Sequence, residues 1–492
     1  MKKPGLSRYK LLYALFPLFC CLTWPVSETF AQQNYLISDP LVIRNDYGYE
    51  VIGRVKDRIL LFRDKYDEFE IQAYDNQMQL SWSRRLDDLD RRGIQVLSIV
   101  GGKNDFSIIY KIRRHGTTQL RVHKYDPGAN LIDSMTLKNY GERAFYPPVL
   151  DIVRSEDRNC LVAYNSAERE KLELTCFRLD RMQVLWDKTA ALKEPFYESD
   201  IDAMVLSNAG DLFLISEHNN RKSKIEEHDF RLLRINAGGD QLMRAQMPEF
   251  LTCDVKFAYD NLHQRLVGVG LYGEKTRDRA NGSFYLSIDP ASGTPALRSE
   301  PFDNQFFDIL RRRDSSDGDD SSTGGRGISD ADVTQVVLRE DGGAILIAER
   351  HHEIQRGATA ARGFWRDGAR LVIDYYYDDV FAIAFNPDGT IPWKTVLHKK
   401  QYSQDDEGAY SSYFLLRSND RLHMLFNDEI KYENTCSEYV LSPFGDFDRN
   451  SLLNTFGQNL RLRYRDAHQL SVNECIVPSE FRNRLKLVYL RF

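Results

Sequence analysis

The sequence has little of several features that would place it in a specialised structural class. Only 7 of its 492 residues are Cys, and 42% of its side chains are hydrophobic, which excludes a disulfide scaffold and a disordered chain. The five cysteines beyond residue 31 are too widely spaced for a CxxC-type metal site. Almost no segment has a 3.6-residue apolar period. The sequence therefore predicts neither a helical fold nor a metal centre, and no cofactor.

Basic residues are not in excess. The chain has 66 Lys and Arg against 72 Asp and Glu, which gives a formal net charge of −6. Binding to a phosphate backbone needs a basic surface, and no basic stripe with interleaved aromatic residues is present. Nucleic acid is therefore not an expected partner.

The first 31 residues have the pattern of a secretory signal peptide. Four basic residues precede an apolar segment from Leu11 to Trp24, and Thr29-Phe30-Ala31 offers a small-residue cleavage site. The apolar segment is shorter than the roughly 20 residues that a membrane-spanning helix needs. We expect an exported protein, in the periplasm or on the cell surface, that begins at Gln32 and has no transmembrane segment after cleavage. Loss of four basic residues and Glu28 moves its formal charge to −9.

A short apolar run recurs eight times beyond the signal. The first five runs begin about 47 to 55 residues apart, which is typical of a four-stranded propeller blade. The runs are Ile59–Phe62, Phe106–Tyr110, Leu161–Tyr164, Leu212–Ile215, Leu266–Leu271, Ala344–Ala348, Leu422–Phe426 and Leu485–Leu490.

An alternating strand and a turn follow most of the runs. Phe69–Asp75 and Leu120–Asp126 alternate with period two, as strands with one buried face do, and Asp126-Pro-Gly supplies turn chemistry. The pattern predicts an all-β chain that folds as a single β-propeller of eight four-stranded blades over residues 32–492, with seven blades as the alternative. Because the last repeat offers only two strands, near 470–477 and 485–492, we expect Tyr35–Ile43 to complete its blade and close the ring.

Three of the repeats place a tryptophan shortly after the turn. Trp82, Trp186 and Trp393 occupy these positions. This resembles the Asp/Gly-to-Trp dock of quinoprotein-like (PQQ-type) and WD-like repeats, and more loosely the exported propeller proteins of unknown role in Gram-negative bacterial envelopes. The resemblance implies the architecture and an envelope location; quinone binding is not carried over.

The longest insertions all fall on one face of the predicted ring, in one sector. Residues 304–331 are predicted to form a disordered insertion between blades five and six, since 314–331 consist mainly of Asp, Ser and Gly. Residues 349–379 are predicted to form a long loop within blade six, and residues 398–409 connect blades six and seven. Loops on a rigid frame commonly bind ligands.

Aromatic, carboxylate and amide side chains are concentrated in the second and third of these insertions and at the neighbouring blade. Such groups suit a sugar or a peptide. The candidate binding residues are His351, His352, Tyr376, Tyr377, Asp378, Asp379, Lys400, Gln401, Asn427 and Asp428.

No intact catalytic motif is present: the sequence lacks a GxSxG elbow, a Walker loop and a GxGxxG segment after a strand. We therefore predict no catalytic residues and a scaffold that binds a protein or glycan partner through the loop face of blades five to seven. The alternative is a glycan hydrolase or lyase that uses carboxylates on the same face.

Two cysteines are a disulfide candidate. Cys160 and Cys176 lie on successive predicted strands, nearly opposite each other, and an exported chain can oxidise them. Opposed strand residues are somewhat too far apart for a relaxed disulfide, so two packed thiols remain equally consistent with the sequence.

Overall fold

The structure is a computed structural model that describes residues 35–142, 147–168, 171–192, 201–221, 228–314, 327–357, 371–430 and 435–492. The predicted signal peptide, residues 1–31, lies outside these ranges. Within them, no helix is long and apolar enough to cross a membrane.

The chain is almost entirely strand. Two short N-terminal strands and blades one to four contain, in chain order, β1 (Tyr35–Ile37), β2 (Leu41–Val42), β3 (Asp46–Val55), β4 (Arg58–Lys65), β5 (Phe69–Tyr74), β6 (Leu80–Arg85), β7 (Ile94–Gly101), β8 (Phe106–Arg114), β9 (Thr117–Tyr125), β10 (Leu131–Glu142), β11 (Leu150–Arg154), β12 (Cys160–Glu168), β13 (Lys171–Arg178), β14 (Gln183–Ala191), β15 (Ala203–Leu206), β16 (Leu212–His218), β17 (Asp229–Asn236) and β18 (Gly239–Gln246).

Blades five to eight follow with one helix and a separate two-stranded pair, β21 with β24. The remaining elements are β19 (Leu251–Asp260), β20 (Arg265–Gly273), β21 (Arg279–Ala280), β22 (Gly282–Asp289), β23 (Thr294–Pro301), α1 (Asn304–Asp314), β24 (Ile328–Ser329), β25 (Ala331–Leu338), β26 (Ala344–Gly357), β27 (Leu371–Phe385), β28 (Lys394–Leu397), β29 (Gln401–Gln404), β30 (Phe414–Arg417), β31 (Leu422–Asn427), β32 (Thr435–Leu441), β33 (Phe447–Asn454), β34 (His468–Ser471), β35 (Glu474–Phe481) and β36 (Arg484–Arg491).

These strands form eight antiparallel four-stranded blades arranged in a ring, as predicted. From blade eight through blade one to blade six, the first strands of neighbouring blades contact one another. Eight hydrophobic clusters hold the ring, and each cluster combines residues of two adjacent blades. The predicted apolar runs lie in central strands of the blades, because a central strand must be covered on both faces. Leu212–Ile215, for example, is fully buried.

The ring closes in blade eight, where both termini meet. Strand β1 pairs with β36 in the register Tyr35↔Leu490 and Ile37↔Val488, so the N-terminal segment supplies the outermost strand. The C-terminal part contributes three strands, β34, β35 and β36, rather than the two expected from sequence. The short inner strand β34 is partly exposed, which is why its pattern did not distinguish it from a loop.

The start of the predicted disordered insertion is a helix. Asp303 caps α1 by accepting a hydrogen bond from the Phe306 backbone NH at 2.8 Å. Phe306, Phe307 and Leu310 then lie on one helix face and join the cluster between blades five and six. The prediction of disorder is therefore wrong for 304–314, because this apolar face was overlooked; residues 315–326 lie outside the described ranges.

Blade six differs from its neighbours in the length of its central hairpin. Strands β26 and β27 have 14 and 15 residues and pair from Ala344↔Phe385 to Gly357↔Leu371. The prediction of a long loop over 349–379 is wrong for the described part, since 349–357 and 371–379 are paired strands. The hairpin thus continues beyond the blade on the face that carries the loops between blades. We call this face the upper face and the opposite one, with the turns between first and second strands, the lower face.

Candidate functional site

The upper half of the blade six hairpin forms a three-stranded sheet, which we call the extension. Strand β29 pairs with β27 in the register Tyr376↔Tyr402 and Tyr377↔Gln401, while His352 pairs with Tyr376 on the other side of β27. Five of the ten predicted binding residues therefore form register pairs within the extension. These are His351, His352, Tyr376, Tyr377 and Gln401.

The inner face of the extension is packed against the loop into blade seven and the loop into blade eight. Tyr375, Tyr377 and Gln401 are buried on this face. The guanidinium of Arg465 lies 4.6 Å from the Tyr377 ring centroid, although Arg465 belongs to the connection between blades seven and eight. The extension therefore leans over blade seven and contacts the following blade connection.

A buried ion pair anchors the base of the extension. Lys399 Nζ lies 2.6 Å from Glu349 Oε1 and also donates hydrogen bonds to the Tyr377 carbonyl at 3.1 Å and to Gln401 Oε1 at 3.0 Å. Both charged side chains are almost completely buried. Burial lowers the pKa of Lys399, and the Glu349 carboxylate opposes this shift. A buried charge is retained only with such partners.

The sequence analysis predicted Lys400, the neighbouring lysine, as a binding residue and did not select Lys399. Lys400 is exposed, whereas Lys399 lies inside the network. Alternation along the strand that begins at Gln401 could have assigned the two lysines to opposite faces, but nothing in the sequence locates the start of that strand.

The outer face of the extension is a half-exposed aromatic strip. The rings of His352 and Tyr376 stack with centroids 4.7 Å apart and an interplanar angle of 7°, and Tyr402 lies 5.1 Å from Tyr376. Next to this row, Ile354 is 42% exposed. Arg356, Tyr402 and Gln404 all bind the Asp374 carboxylate, which fixes the neighbouring row of side chains. The strip presents apolar ring surface in a rigid frame.

Two further predicted residues, Asp378 and Asp379, lie with His351 where the extension leaves the blade. His351 Nδ1 lies 2.8 Å from Asp332 Oδ2, and this hydrogen bond raises the pKa of His351. His398 Nδ1 lies 3.1 Å from the buried Asp379 carboxylate. Burial raises the pKa of Asp378, and the positive charge of Arg350 opposes this increase. These groups border the strip rather than forming part of it.

Gln401, Asn427 and Asp428 bind internal groups. Gln401 Nε2 donates to the Asn427 carbonyl at 2.7 Å, and Asn427 Nδ2 donates to the carbonyls of Tyr410 and Leu462, both at 2.9 Å. Asp428 accepts hydrogen bonds from the Ser437 hydroxyl and from Arg449. Gln401 and Asn427 thus hold the connections between blades six, seven and eight, whereas Asp428 binds two strands of blade seven.

A second feature of the upper face, not expected from sequence, is a cleft of about 670 Å³ between blades eight and one at the mouth of the central channel. The Tyr49 hydroxyl lies at 3.5 Å from Glu480 Oε2, and Arg463 binds both Glu480 and Asp466, at 2.8 and 2.5 Å. Arg465, which contacts the extension, also lines the cleft. The cleft and the extension therefore meet at one side chain.

Among the described residues, no group of three or more His, Cys, Asp or Glu is placed to hold a metal ion. The structure therefore offers no metal centre in the part of the chain that it describes.

The disulfide candidate lies in blade three. Cys176 is opposite Val162 and Cys160 is opposite Arg178, so the cysteines are diagonal neighbours rather than a directly opposed pair. Their Sγ atoms are 3.4 Å apart, and both thiols are free and buried in this structure. A covalent bond between them remains a prediction.

The tryptophans of the resemblance contact neighbouring blades. Trp186 Nε1 donates to the Gly210 carbonyl of blade four at 3.0 Å, and Trp393 Nε1 donates to the Pro443 carbonyl of blade seven at 2.8 Å. A Cβ atom at Gly445 would lie 2.7 Å from the Trp393 ring, so this turn requires glycine. The tryptophans thus link consecutive blades.

Comparison with known proteins assigns this chain to no family. No protein-family model and no curated protein matches the sequence, so the quinoprotein-like and envelope-protein resemblance has no family match behind it.

Several solved structures are similar to this chain. Dipeptidyl peptidase 4 of Porphyromonas gingivalis matches at 12% identity and a TM-score of 0.42 over 88% of this chain and 56% of its own. The propeller domain of the Trilobed protease from Pyrococcus furiosus matches at 10% identity and 0.36, over 85% and 98%. The Vanderwaltozyma polyspora Nup133 propeller domain matches at 10% and 0.36, over 92% and 97%.

Proposed function

We propose that this propeller is an exported binding scaffold, periplasmic or surface-exposed, which takes a protein or glycan partner on the outer face of the blade six extension. The observation that carries the proposal is the aromatic strip of His352, Tyr376 and Tyr402. Stacked rings that remain partly exposed on a rigid sheet offer flat apolar surface, which sugars and extended peptides use for recognition.

The frame beneath the strip supports this role. The Glu349–Lys399 pair and the contact between Arg465 and Tyr377 fix the inner face of the extension to two neighbouring blade connections. A partner that binds the outer face therefore meets side chains that lose little conformational freedom, which favours affinity.

The test uses an oligosaccharide array and a displayed random-peptide library as probes. Ligands selected with the intact protein should lose about tenfold or more in affinity for Tyr376→Ala or Tyr402→Ala, since exposed aromatic residues commonly dominate interface energies. The matched control is Tyr66→Ala, because Tyr66 is a 72% exposed tyrosine near the upper face of blade one. Unchanged affinity for the two extension variants, or equal loss in the control, would contradict the proposal.

A second candidate function is a glycan hydrolase or lyase in the cleft between blades eight and one. Loss of hydration in the channel mouth raises the pKa of the Glu50 carboxyl, while Arg154 and Arg158 oppose the shift. A carboxyl with a raised pKa can act as a general acid, and Glu480 supplies another carboxylate in the same cleft.

This candidate predicts that the protein releases reducing or unsaturated ends from at least one member of a panel of polysaccharides. Glu50→Gln should abolish the release, whereas Glu340→Gln, an exposed carboxylate of a blade six turn, should not change it. If the wild-type protein forms no product from any polysaccharide of the panel, the hypothesis of a hydrolase or lyase is excluded.

A further inference from the structure

The lower mouth of the central channel carries a second cleft, of about 780 Å³, on the face opposite the extension. The turns between the first and second strands of blades one, two and three line it. Each of these three turns places a cation at its tip: Lys56 in blade one, Lys103 in blade two and Arg158 in blade three.

Backbone geometry brings these cations together. The Lys56 NH donates to the Lys103 carbonyl at 2.8 Å, which joins the first two turns side by side. Lys56 and Arg158 both have a φ of 59°, so each stands at the left-handed position of its turn. Three successive blades therefore present a positive side chain to one space.

No salt bridge in the described part of the chain holds the charges of these three residues, although the Glu50 carboxylate in the channel acts on Arg158 from a greater distance. Within the described ranges, none of Lys56, Lys103 and Arg158 has an ion pair within contact distance. By contrast, Arg339 and Arg421 in the equivalent turns of blades six and seven pair with Asp341 and Asp420 of their own turns. Unpaired cations around a concavity attract an anion, whereas paired ones are already neutralised.

The remainder of the cleft favours a compact polar group. His468 closes it on the channel side, where its Nε2 lies over Gly53; a Cβ atom at Gly53 would be 2.8 Å from that nitrogen. Lys124 pairs with Asp105 at 3.2 Å and Asp180 pairs with Arg178 at 2.9 Å, so these carboxylates are neutralised. Asp157 adds one negative charge to the lining, against three cations. The imidazole offers a neutral hydrogen-bonding group beside the cations.

We propose that this lower cleft binds an oxyanion group, a phosphate or a sulfate, of a ligand that enters the channel from the lower face. Lys56, Lys103 and Arg158 would contact its oxygens, with His468 at the closed end. The site is separate from the extension, and a propeller could use both faces at once.

The test is isothermal titration calorimetry at low ionic strength with inositol hexakisphosphate and a heparin-derived sulfated hexasaccharide. Uncharged maltohexaose is the blank. We expect one or both anionic probes to bind and the affinity to fall as salt is added, because exposed charges are screened. Which probe binds distinguishes phosphate from sulfate, and either result supports the proposal.

The decisive variant replaces Lys56, Lys103 and Arg158 by Asn, which tolerates the left-handed conformation. It should weaken binding by about tenfold or more, since each charge-assisted hydrogen bond contributes strongly. The charge-preserving variant Lys56→Arg, Lys103→Arg and Arg158→Lys should retain binding, which separates loss of charge from misfolding.

The control Lys275→Asn removes an exposed cation between the second and third strands of blade five, on the upper face, and should bind normally. Absence of binding by both probes, or equal binding by the triple Asn variant, would overturn the proposal.

Discussion

Blades four and six differ in what lies beyond a common lower half. In blade four the central strands β16 and β17 have 7 and 8 residues, and their apolar part pairs Leu212 with Ile235. In blade six the same apolar pairing occupies Ala344–Ala348, but the strands then continue for a further nine residues or more on each side. The lower half of a blade therefore builds the ring, whereas the added half of blade six lies outside the apolar packing that the blades share.

The two halves also use different chemistry. Blade four packs through apolar residues such as Phe213, Phe230 and Leu232, which are fully buried. At the junction with the extension, blade six buries the Glu349–Lys399 pair instead. Apolar burial stabilises without directional requirements, whereas a buried ion pair adds little net stability and fixes one geometry for its partners.

The largest effect is expected from breaking the ring that both blades share. Deleting residues 484–492 removes β36, which pairs with β35 on one side and with β1 and β2 on the other. Because two apolar strand edges would then be unpaired, we expect the cooperative unfolding transition to be lost and the protein to aggregate. Size-exclusion chromatography and calorimetry measure this. A soluble monomer with an unchanged melting midpoint would show that the termini do not hold the ring.

Sequence reasoning predicted the shared part well. The eight apolar runs identified the blades because full burial of a strand on both faces leaves a local signal, and the unpaired edge of the last repeat predicted closure by the N-terminal segment. One run lies at a different strand position from the others. Leu485–Leu490 is in the third strand of blade eight, whereas the runs of the other blades lie in second strands.

The extension was harder to predict from the sequence. Residues 349–357 and 371–379 are rich in polar and aromatic residues, and their strand conformation depends on pairing with β29 and on packing against the next two blades. The burial of Lys399 and Glu349 follows from this tertiary arrangement and has no local signature. Tyr376 was predicted as a binding residue because aromatic and polar groups are concentrated in this segment, and that role stays a prediction; its pairing in a strand was not predicted.

The next effect tests the ion pair at the junction. Lys399→Met leaves the Glu349 carboxylate buried without its cation, and we expect a loss of about 3 to 5 kcal/mol in the free energy of unfolding. Lys400→Met is the matched control, since Lys400 is exposed, and it should change stability by less than about 0.5 kcal/mol. Combining Lys399→Met with Glu349→Gln should restore part of the loss. Denaturant titration measures all three, and equal effects of the two lysine variants would contradict the assigned network.

A smaller effect is expected from His468 in the channel, outside blade six, which should make the free energy of unfolding depend on pH. Burial lowers the pKa of His468 to about 4, with smaller contributions from Arg158 and Arg154. Below pH 6.5 the unfolded chain binds a proton at His468 that the folded protein does not bind, so stability falls as the pH falls. The loss should approach about 3 kcal/mol at pH 4.

Unfolding free energies measured between pH 7 and 4 test this assignment. His468→Gln should reduce the pH dependence, whereas His115→Gln, at an exposed turn, should leave it unchanged. Identical pH profiles for His468→Gln and the wild type would show that this histidine is not held neutral in the folded state.

The division between ring and extension is tested most directly by a variant in which His351 is joined to Tyr377 through Asn-Gly, which removes two of the three rings of the aromatic strip. His351 and Tyr377 are opposite each other in the hairpin, so a two-residue turn can close it and leave Glu349, Lys399 and Tyr377 in place. Calorimetry and titration with the glycans or peptides selected by the intact protein are run on the same sample. We predict a melting midpoint within about 3 °C of the wild type, because the apolar clusters between blades are untouched, together with loss of ligand binding. Full ligand affinity in a variant that still melts like the wild type would contradict the assignment of binding to the extension.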